Sequence, residues 1–480
     1  MRASVTRARK QQWAVRPFQI NLRLSKTGTG PVFVVSANSE SRMFSTFGES
    51  IVKMTMKAAA AAVMAVCAAS AAHAAGFMLT EQSAGSLGRA YAGAGVDGTD
   101  ISGVFYNPAT MTLHPGTKIQ AGFVAVGLDL AFEGTNGNEG VKENGQYNTQ
   151  AIPHGYISHQ ISDSMWVGLS MTVPFGMGTE YDDNWKFANR GISAEVLTFD
   201  FNPNVAWKVS DKLSLGAGVS IQYAAADLKM RADIPAGMVS EYQMSADGEI
   251  DADSWAWGFN VGLMWSPLDN LRFGLSYRSK VNHHADGDFT LDNQKVIITD
   301  DMWKPVPGSA TFNDAKASLS TPAWAMATAA WDINDLLSLY ATFRWTDWSS
   351  FDNLEIRSAG IPVTGKQTIT NKWQDTYLFS VGADLRFTNW WTFRAGIGYE
   401  TSPIDDPRYR TAIIPDADRW WFALGSSFQA TKNMQLDVSA AWLHGTGERN
   451  LYAVEGEDGK AGRFDKLDAY LFGVQLVYKF

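Results

Sequence analysis

Few stretches of this 480-residue sequence carry residue types and spacings that could do chemistry. Gly93-Ala94-Gly95-Val96-Asp97-Gly98 matches the G-x-G-x-x-G pattern of dinucleotide-binding loops. That pattern works only where a strand leads into a helix of a βαβ unit, because the helix N-terminus must receive the phosphates. Here it follows an apolar leader by fewer than twenty residues. We interpret the match as chance.

The other candidate chemical groups occur as neighbouring pairs. His283-His284, Asp300-Asp301 and Asp405-Asp406 fall in predicted loops, where the alternatives are solvated side chains or a bound cation. Ser158-His159 lies near a strand end and could suit a lipid hydrolase, although nothing beyond proximity marks it. Because Walker, G-x-S-x-G and H-E-x-x-H motifs are absent from the sequence, we predict a protein that is not an enzyme and that uses no cofactor or metal.

The N-terminal region resembles a secretion signal. Met56–Ala74 contains a lysine, an alanine-rich apolar run with the sole cysteine Cys67, and an A-x-A site at its end. We predict a signal peptide over 56–74 and a mature chain that starts at Ala75 without any cysteine. Residues 1–55 are either a mis-assigned upstream start or a basic extension.

The rest of the chain alternates apolar residues with small or polar ones. In "LSLYATFRW", Leu339 and Phe343 fall on one face and Arg344 on the other. A period of two predicts strands with one apolar face. Six tight Asp- or Asn-bearing turns alternate with seven long polar connections, which gives fourteen strands. An even strand number with short turns on one rim and long loops on the other is typical of a transmembrane β-barrel, whereas a soluble sandwich is the alternative.

The bilayer explains why such strands would close into a barrel, since every backbone group must be paired in lipid. The net charge of −9 argues against nucleic acid as a partner. The last strand ends in Phe480, in phase with Tyr478, and resembles the signal read by the bacterial barrel assembly machinery. We therefore predict a monomeric multi-pass barrel in a Gram-negative outer membrane, in contact with membrane lipid and lipopolysaccharide.

Residues 75–116 precede the first predicted strand and are unusual in composition. They combine many glycines with apolar residues such as Phe77, Leu79, Phe105 and Met111. A barrel of this size has a lumen wider than its own side chains fill. We predict that 75–116 forms a compact hatch inside the lumen of a barrel formed by 117–480. A periplasmic tail is the alternative.

The segment "AGFMLTEQSAGSLGRAYAGAG", followed by "NPA" at Asn107-Pro108-Ala109, resembles the start of the FadL family (OmpP1/FadL/TodX) of outer-membrane long-chain fatty acid transporters. "TDWSSF", "NWWTFRAGIGYETSPI" and "IPDADRWWFALGSSF" resemble later segments of that family, in the same order. The resemblance implies an all-β, 14-stranded antiparallel transmembrane barrel with a hatch. It also implies passive uptake through capture at outer loops and lateral release through the wall.

The resemblance places the lateral opening at a kink in the third strand, facing Asn107, Pro108 and Ala109, which would act as the gate. The third strand here carries Pro174, Gly176 and Gly178 near its outer end. Proline removes a ladder donor and glycine weakens pairing, so these residues predict a local gap. The start of a loop is the alternative.

Apolar residues in the two longest predicted loops, 230–252 and 284–312, suggest a ligand groove. The resemblance leads us to expect a basic ligand contact in the lumen near the end of the fifth strand, at Lys229 or Arg231, or before the tenth strand, at Lys366 or Lys372, with Phe77 as a further contact. The basic residue that meets a carboxylate is left open, so an aromatic hydrocarbon is the alternative ligand. A general porin and an adhesin-type structural barrel are alternatives of other classes. The predicted groove residues are Ile234, Met238, Val239, Tyr242, Met302 and Trp303.

Overall fold

The computed structural model describes residues 76–480, except 136, 145–148, 235–242, 300–301, 306–307 and 362–363. The side chains of residues 234, 297–299 and 302–305 also lie outside the description. The predicted signal peptide at 56–74 and the stretch 1–55 fall outside the described residues. Among the residues described, no helix is both long and apolar enough to span a membrane.

The described strands form one antiparallel sheet of fourteen barrel strands, closed where β1 pairs with β14. Five strands, namely β3 and β7–β10, consist of two segments each. The strands are β1 Thr117–Gly134, β2 Gln150–Gln160, β3 Met165–Thr172 and Gly176–Glu180, β4 Ser193–Ser210, β5 Leu213–Ile234, β6 Gln243–Leu268, β7 Leu271–Arg278 and Val281–Thr299, β8 Ala310–Thr321 and Trp324–Asp332, β9 Leu337–Thr346 and Asn353–Arg357, β10 Lys366–Thr370 and Thr376–Arg386, β11 Trp391–Glu400, β12 Asp418–Gln429, β13 Met434–Thr446 and β14 Lys460–Lys479.

The two rims differ as predicted. Tight connections join the strands at the six predicted turns, for example between Ser210 and Leu213 and between Leu268 and Leu271. On the long-loop rim, short strands fold back onto the sheet ends: Lys142–Glu143 pairs with β1, Met302–Pro305 with β7, and Asn450–Tyr452 with β14.

The predicted extent of two long loops is wrong. β5 continues to Ile234 and β6 starts at Gln243, so most of 230–252 is strand. Likewise β7 continues to Thr299 and β8 starts at Ala310, within the predicted loop 284–312. The strands keep their ladders beyond the apolar band, but their outward residues there are acidic. A strand whose outer face meets water is hard to tell from a polar loop by sequence.

The alternation is confirmed by the two faces of the wall. Phe379 and Val381 of β10 are 54% and 56% exposed on the outer surface. In β9, Leu339 and Phe343 also point outward, whereas Arg344 is only 4% exposed and faces the lumen. The barrel therefore has an apolar exterior and a polar interior, as a closed sheet in lipid requires.

Two pieces of chain pack inside the barrel. The N-terminal segment contains helix α1 (Ala84–Leu87), helix α2 (Gly103–Tyr106) and a 3₁₀ helix at Pro108–Leu113. Between β3 and β4, residues 181–192 pack against the inner surfaces of β1 and β14. Their contact is an apolar cluster that includes Phe132, Tyr181, Trp185, Phe187, Ile192, Leu451 and Phe464.

Candidate ligand-binding site

The N-terminal segment 76–116 is enclosed by the wall. Its polar groups bond to inward side chains of strands on several sides of the barrel. The Arg89 guanidinium lies 2.9 Å from the Asp384 carboxylate of β10, and the Gly93 N–H donates to Thr342 of β9 at 2.9 Å. The Ala84 N–H donates to Gln475 of β14 at 2.8 Å. Such bonds in several directions fix the segment relative to the sheet.

Charged side chains join this segment to the wall. Arg89 pairs with Asp97 of its own segment and with Asp384, and all three side chains are at most 3% exposed. On β11, Arg394 lies 3.0 Å from Asp437 and donates to the Gly85 carbonyl at 3.4 Å. Buried charges of this kind are stable only as a set, since removing one partner leaves the others unpaired. The same alternation that puts Arg344 on the inner face predicts that Arg394 faces the lumen, whereas the sequence carries no signal for Arg89, Asp97 and Asp384.

The Asn107-Pro108-Ala109 motif packs against β5 and β6. The Asn107 amide donates at 3.0 Å to the Leu263 carbonyl of β6 and to the Gly95 carbonyl. A Cβ on Gly262 would lie 2.0 Å from the Asn107 Oδ1, so only glycine allows this approach.

The 3₁₀ helix that begins at Pro108 also contacts the first segment of β3, and a gate role for the motif stays a prediction. The 173–175 interruption itself bonds to Phe77–Gln82: the Leu79 N–H donates to the Pro174 carbonyl and the Gly176 N–H to the Phe77 carbonyl, each at 2.8 Å.

The predicted break in β3 is present. β3 stops at Thr172 and resumes at Gly176, and both segments pair with β4. The ladder between β2 and β3 ends earlier, at the pair Gly155–Met171. In the described residues, the second segment of β3 pairs with β4 alone. The wall therefore has a gap between β2 and β3 on the long-loop side of Gly155. Pro174 lies within the interruption, and Gly176 and Gly178 lie in the second segment.

A deep cavity of about 50 Å³ adjoins this interruption. Phe77 of the N-terminal segment and Met177 of β3 both line it. Phe77 is 1% exposed and its ring packs against four other aromatic rings at centroid distances of 4.8–6.2 Å. The remaining lining is dominated by small and aliphatic side chains, among them Val196, Ala224, Leu228, Ile250, Leu319, Leu354, Ile369 and Ile413.

A larger cavity of about 490 Å³ lies towards the long-loop rim. Both cavities are lined by Leu228, Ile250, Ile369 and Ile413, so they adjoin. The larger cavity also contains four basic side chains, each paired with a carboxylate. The pairs are Lys229–Asp183 at 3.1 Å, Arg231–Asp247 at 2.8 Å, Arg190–Glu455 at 3.7 Å and Lys366–Glu355.

The carboxylates around the larger cavity favour the positively charged form of Lys229. Burial acts against the charged form of Lys229, yet its hydrogen bond to Asp183 and the nearby carboxylates raise its pKa above the ordinary value. Charged ammonium and guanidinium groups beside an apolar cavity could receive an anionic head group while the cavity receives its tail.

The structure brings some predicted ligand contacts together and separates others. Phe77, Lys229 and Arg231 line the two cavities, whereas Lys372 is exposed and donates to the Tyr409 hydroxyl at 2.7 Å. Of the predicted groove, Ile234 ends β5, and Met302 and Trp303 lie in the short strand Met302–Pro305. Met238, Val239 and Tyr242 lie outside the described residues.

Among the described residues, the other candidate chemical groups do not come together in one site, and Asp300-Asp301 lies outside the description. Ser158 is buried and His159 exposed, because consecutive strand residues point to opposite faces. His283 is not a solvated loop residue: it is 1% exposed in β7 and bonds to Ser254 and Gln222. Asp406 is bonded to Arg408, and Phe480 is exposed beyond the end of β14.

A closed antiparallel barrel with an apolar exterior and a filled polar interior belongs to the class of outer-membrane β-barrels. The model of the outer membrane protein transport protein family (OMPP1/FadL/TodX) matches residues 65–480, and the chain belongs to this family. It is therefore an outer-membrane protein.

Curated relatives and solved structures agree with this assignment. The chain is 27% identical over 436 residues to the long-chain fatty acid transport protein of Escherichia coli K12, covering 85% of this chain and 94% of the relative. It is 27% identical over 419 residues to outer membrane protein P1 of Haemophilus influenzae, covering 79% and 88%. A FadL homologue of Pseudomonas aeruginosa superimposes with a TM-score of 0.73 at 26% identity, covering 85% of this chain and 100% of that one.

A structure with lower identity shows the same fold. The toluene transporter TodX of Pseudomonas putida superimposes with a TM-score of 0.63 at 17% identity, covering 83% of this chain and 99% of that one.

Proposed function

We propose that this protein is a passive transporter for long-chain fatty acids or related hydrophobic molecules. The observation that carries the proposal is a pair of adjoining cavities that ends beside the gap between β2 and β3. A ligand enters the larger cavity from the long-loop rim, passes its tail towards Phe77 and leaves sideways into the membrane. The relatives named as fatty acid transport proteins support this ligand class.

The filled lumen supports a hatch rather than an open pore. Residues 76–116 bond to the wall in several directions, so a wide aqueous path of the porin type would require their removal. Release through the wall avoids that step and needs no energy input, because a fatty acyl chain moves between two apolar environments. The N-terminal segment is thus a hatch, with Phe77–Gln82 at the exit and Asn107-Pro108-Ala109 anchoring it to β5 and β6.

An aromatic hydrocarbon is the second candidate ligand. The deep cavity favours it, since its lining offers little polar surface and a neutral hydrocarbon needs none. The basic groups at the mouth favour an anionic ligand instead. An adhesin-type barrel would need neither feature. We further propose that the protein acts as a monomer among outer-membrane lipids and lipopolysaccharide, and that Phe480 serves its assembly.

Uptake of labelled oleate and labelled toluene by a transporter-deficient strain tests the proposal. We expect expression of this protein to restore oleate uptake, which should saturate with oleate concentration. Restored uptake of toluene alone would favour the second candidate. If neither ligand depends on the protein, the transport function is wrong.

A further inference from the structure

The two edges of the wall gap are chemically unequal. Continuing the β2–β3 register by two residues beyond Gly155–Met171 would place Pro153 opposite Val173. Proline has no N–H to donate to a ladder, and it is tolerated where a strand edge is unpaired. β2 therefore lacks one of the two backbone groups that Val173 would need from it.

The side chain of Gln82 supplies both a hydrogen-bond donor and an acceptor to the backbone of Val173. Its Nε2 donates to the Val173 carbonyl at 2.6 Å, and its Oε1 accepts from the Val173 N–H at 3.3 Å. An amide side chain thus occupies the position that a neighbouring strand normally has. The Gln82 carbonyl accepts from the Tyr156 hydroxyl of β2 at 2.5 Å. Gln82, which is fully buried, is therefore bonded to both edges of the gap.

The same stretch of chain reaches back to the deep cavity. Met78 and Phe175 form an antiparallel bridge, flanked by hydrogen bonds from Leu79 to Pro174 and from Gly176 to Phe77. Phe77 lines the cavity at one end of this stretch, and Gln82 holds the gap at the other. When the tail of a ligand displaces Phe77, it pulls on the backbone of Phe77–Gln82. The next bonds from this stretch to the wall are those at the gap.

We propose that Gln82 is a clasp, meaning a positioning residue that holds β2 and β3 together and must release Val173 before a ligand can leave sideways. The inference rests on the proposed lateral release. While the clasp is closed, both backbone groups of Val173 are satisfied without β2. When it opens, they face the membrane unpaired, so the open state is short-lived and needs the ligand to displace Phe77.

The clasp can be tested without measuring transport, because the predicted mature chain has no cysteine. In a Val173→Cys background, alkylation by a lipid-soluble maleimide reports how often the gap opens. Gln82→Met keeps the length of the side chain but removes both bonds. We expect it to raise the alkylation rate roughly tenfold, since each bond contributes modestly.

Gln120→Met is the matched control. The Gln120 amide on β1 is also buried and also bonds to the hatch, at the Ile101 N–H, and to Gln475 of β14, but its bonds go to neither Val173 nor Gln82. It should leave the alkylation rate unchanged. Tyr156→Phe removes the bond at the other edge and should give a smaller increase, which provides a second measurement should Gln82→Met fold poorly.

Equal alkylation rates in the Gln82→Met, Tyr156→Phe and parent proteins would overturn the clasp. Transport of oleate by the otherwise unaltered protein in liposomes would still support the proposed function in that case. Conversely, a parent protein that moves neither oleate nor toluene refutes the proposed function, whatever the alkylation rates show. The two failures are therefore distinguishable.

Discussion

At the scale of single residues, Lys229 is the side chain best placed to discriminate between ligand classes. Lys229 lines the larger cavity, and its partner Asp183 is half exposed. Removing the Lys229 ammonium therefore leaves no buried charge unpaired. We expect Lys229→Met to weaken oleate binding roughly tenfold, the usual order for losing a charge-assisted bond, and to leave toluene binding unchanged. Equilibrium binding of both ligands to the purified protein measures this.

Lys316→Met is the control for that prediction, because Lys316 forms an exposed pair with Asp286 outside both cavities. It should change neither affinity. Equal losses for oleate and toluene in Lys229→Met would show that Lys229 shapes the cavity rather than recognising charge.

The basic residues also show how far a site could be predicted. The family resemblance points to Lys229 and Arg231 through their place near the end of the fifth strand, and both line the larger cavity, while their contact with a ligand stays a prediction. Lys372 was placed by loop position alone, and in the structure it is exposed beside Tyr409. The packing of a loop depends on contacts far away in sequence, which spacing does not reveal. Gln82 was missed because a buried glutamine carries no local signal of its partner, Val173.

At the scale of elements, the pairing of Phe77–Leu79 with Pro174–Gly176 predicts a cross-link that blocks release. Met78 and Phe175 lie directly opposite each other in an antiparallel bridge, where Cβ atoms are typically about 5 Å apart. We expect a disulfide between Met78→Cys and Phe175→Cys to stop oleate uptake, and a reductant to restore it. Uptake before and after reduction measures the effect.

A second cross-link provides the control. Thr112 and Ser214, of the 3₁₀ helix and β5, have hydroxyls 2.8 Å apart. Thr112→Cys with Ser214→Cys should attach the hatch to the wall without affecting uptake. If this pair also stops uptake, the hatch must move as a whole, and the exit is not confined to β3.

A row of acidic side chains at the outer ends of the strands makes the stability of the folded barrel depend on pH. Glu195, Asp227, Asp251 and Asp288 lie opposite one another on β4, β5, β6 and β7. Burial, together with repulsion from Glu249, Asp251 and Glu195, raises the pKa of Asp227 to about 6. A raised pKa means that folding favours the protonated acid, so this contribution to stability is present below about pH 4 and lost as the pH rises through 6.

We therefore expect Asp227→Asn to stabilise the folded barrel at pH 7 by about 1 kcal/mol once solvent screening is allowed for, and to have no effect at pH 4. Thermal unfolding in detergent at the two pH values measures this. Asp335→Asn, in an exposed tight turn, is the control. Equal stabilisation at both pH values would refute the electrostatic cause.

The strands could be predicted from the sequence where their outer face meets lipid, and not where it meets water. Within the apolar band, outward residues face lipid and inward residues face polar groups, so apolar and polar residues alternate clearly. The predicted strand number and tight turns are confirmed. Beyond that band, the acidic row replaced the apolar face, so 230–252 and 284–312 were predicted as loops. The interruption of β3 was predictable from Pro174, because proline removes a ladder donor. Its pairing with Phe77–Leu79 depends on a contact about a hundred residues away and was not.

At the scale of the whole molecule, the interior is divided between chain and cavity. The hatch occupies the part nearer the short turns, and residues 181–192 pack on the β1 and β14 side. Among the described residues, two adjoining cavities with largely apolar linings lie along β4–β10 and reach Met177 of β3. This division favours hydrophobic ligands over ions, since an ion would have to cross apolar lining or displace the charged attachments of the hatch.

The last prediction concerns ion conductance, which tests whether the hatch closes the lumen. Arg89 forms ion pairs with both Asp97 and Asp384, and removing one member of such a buried set costs about 3–5 kcal/mol. We expect the unaltered protein to give little steady current in a planar bilayer and Arg89→Met to give larger, fluctuating currents as the hatch loosens. Arg272→Met is the control, because the ion pair that it removes, with Asp332, joins two residues of the wall. That variant should conduct no more than the parent. A large steady current from the unaltered protein would show that the N-terminal segment does not seal the barrel.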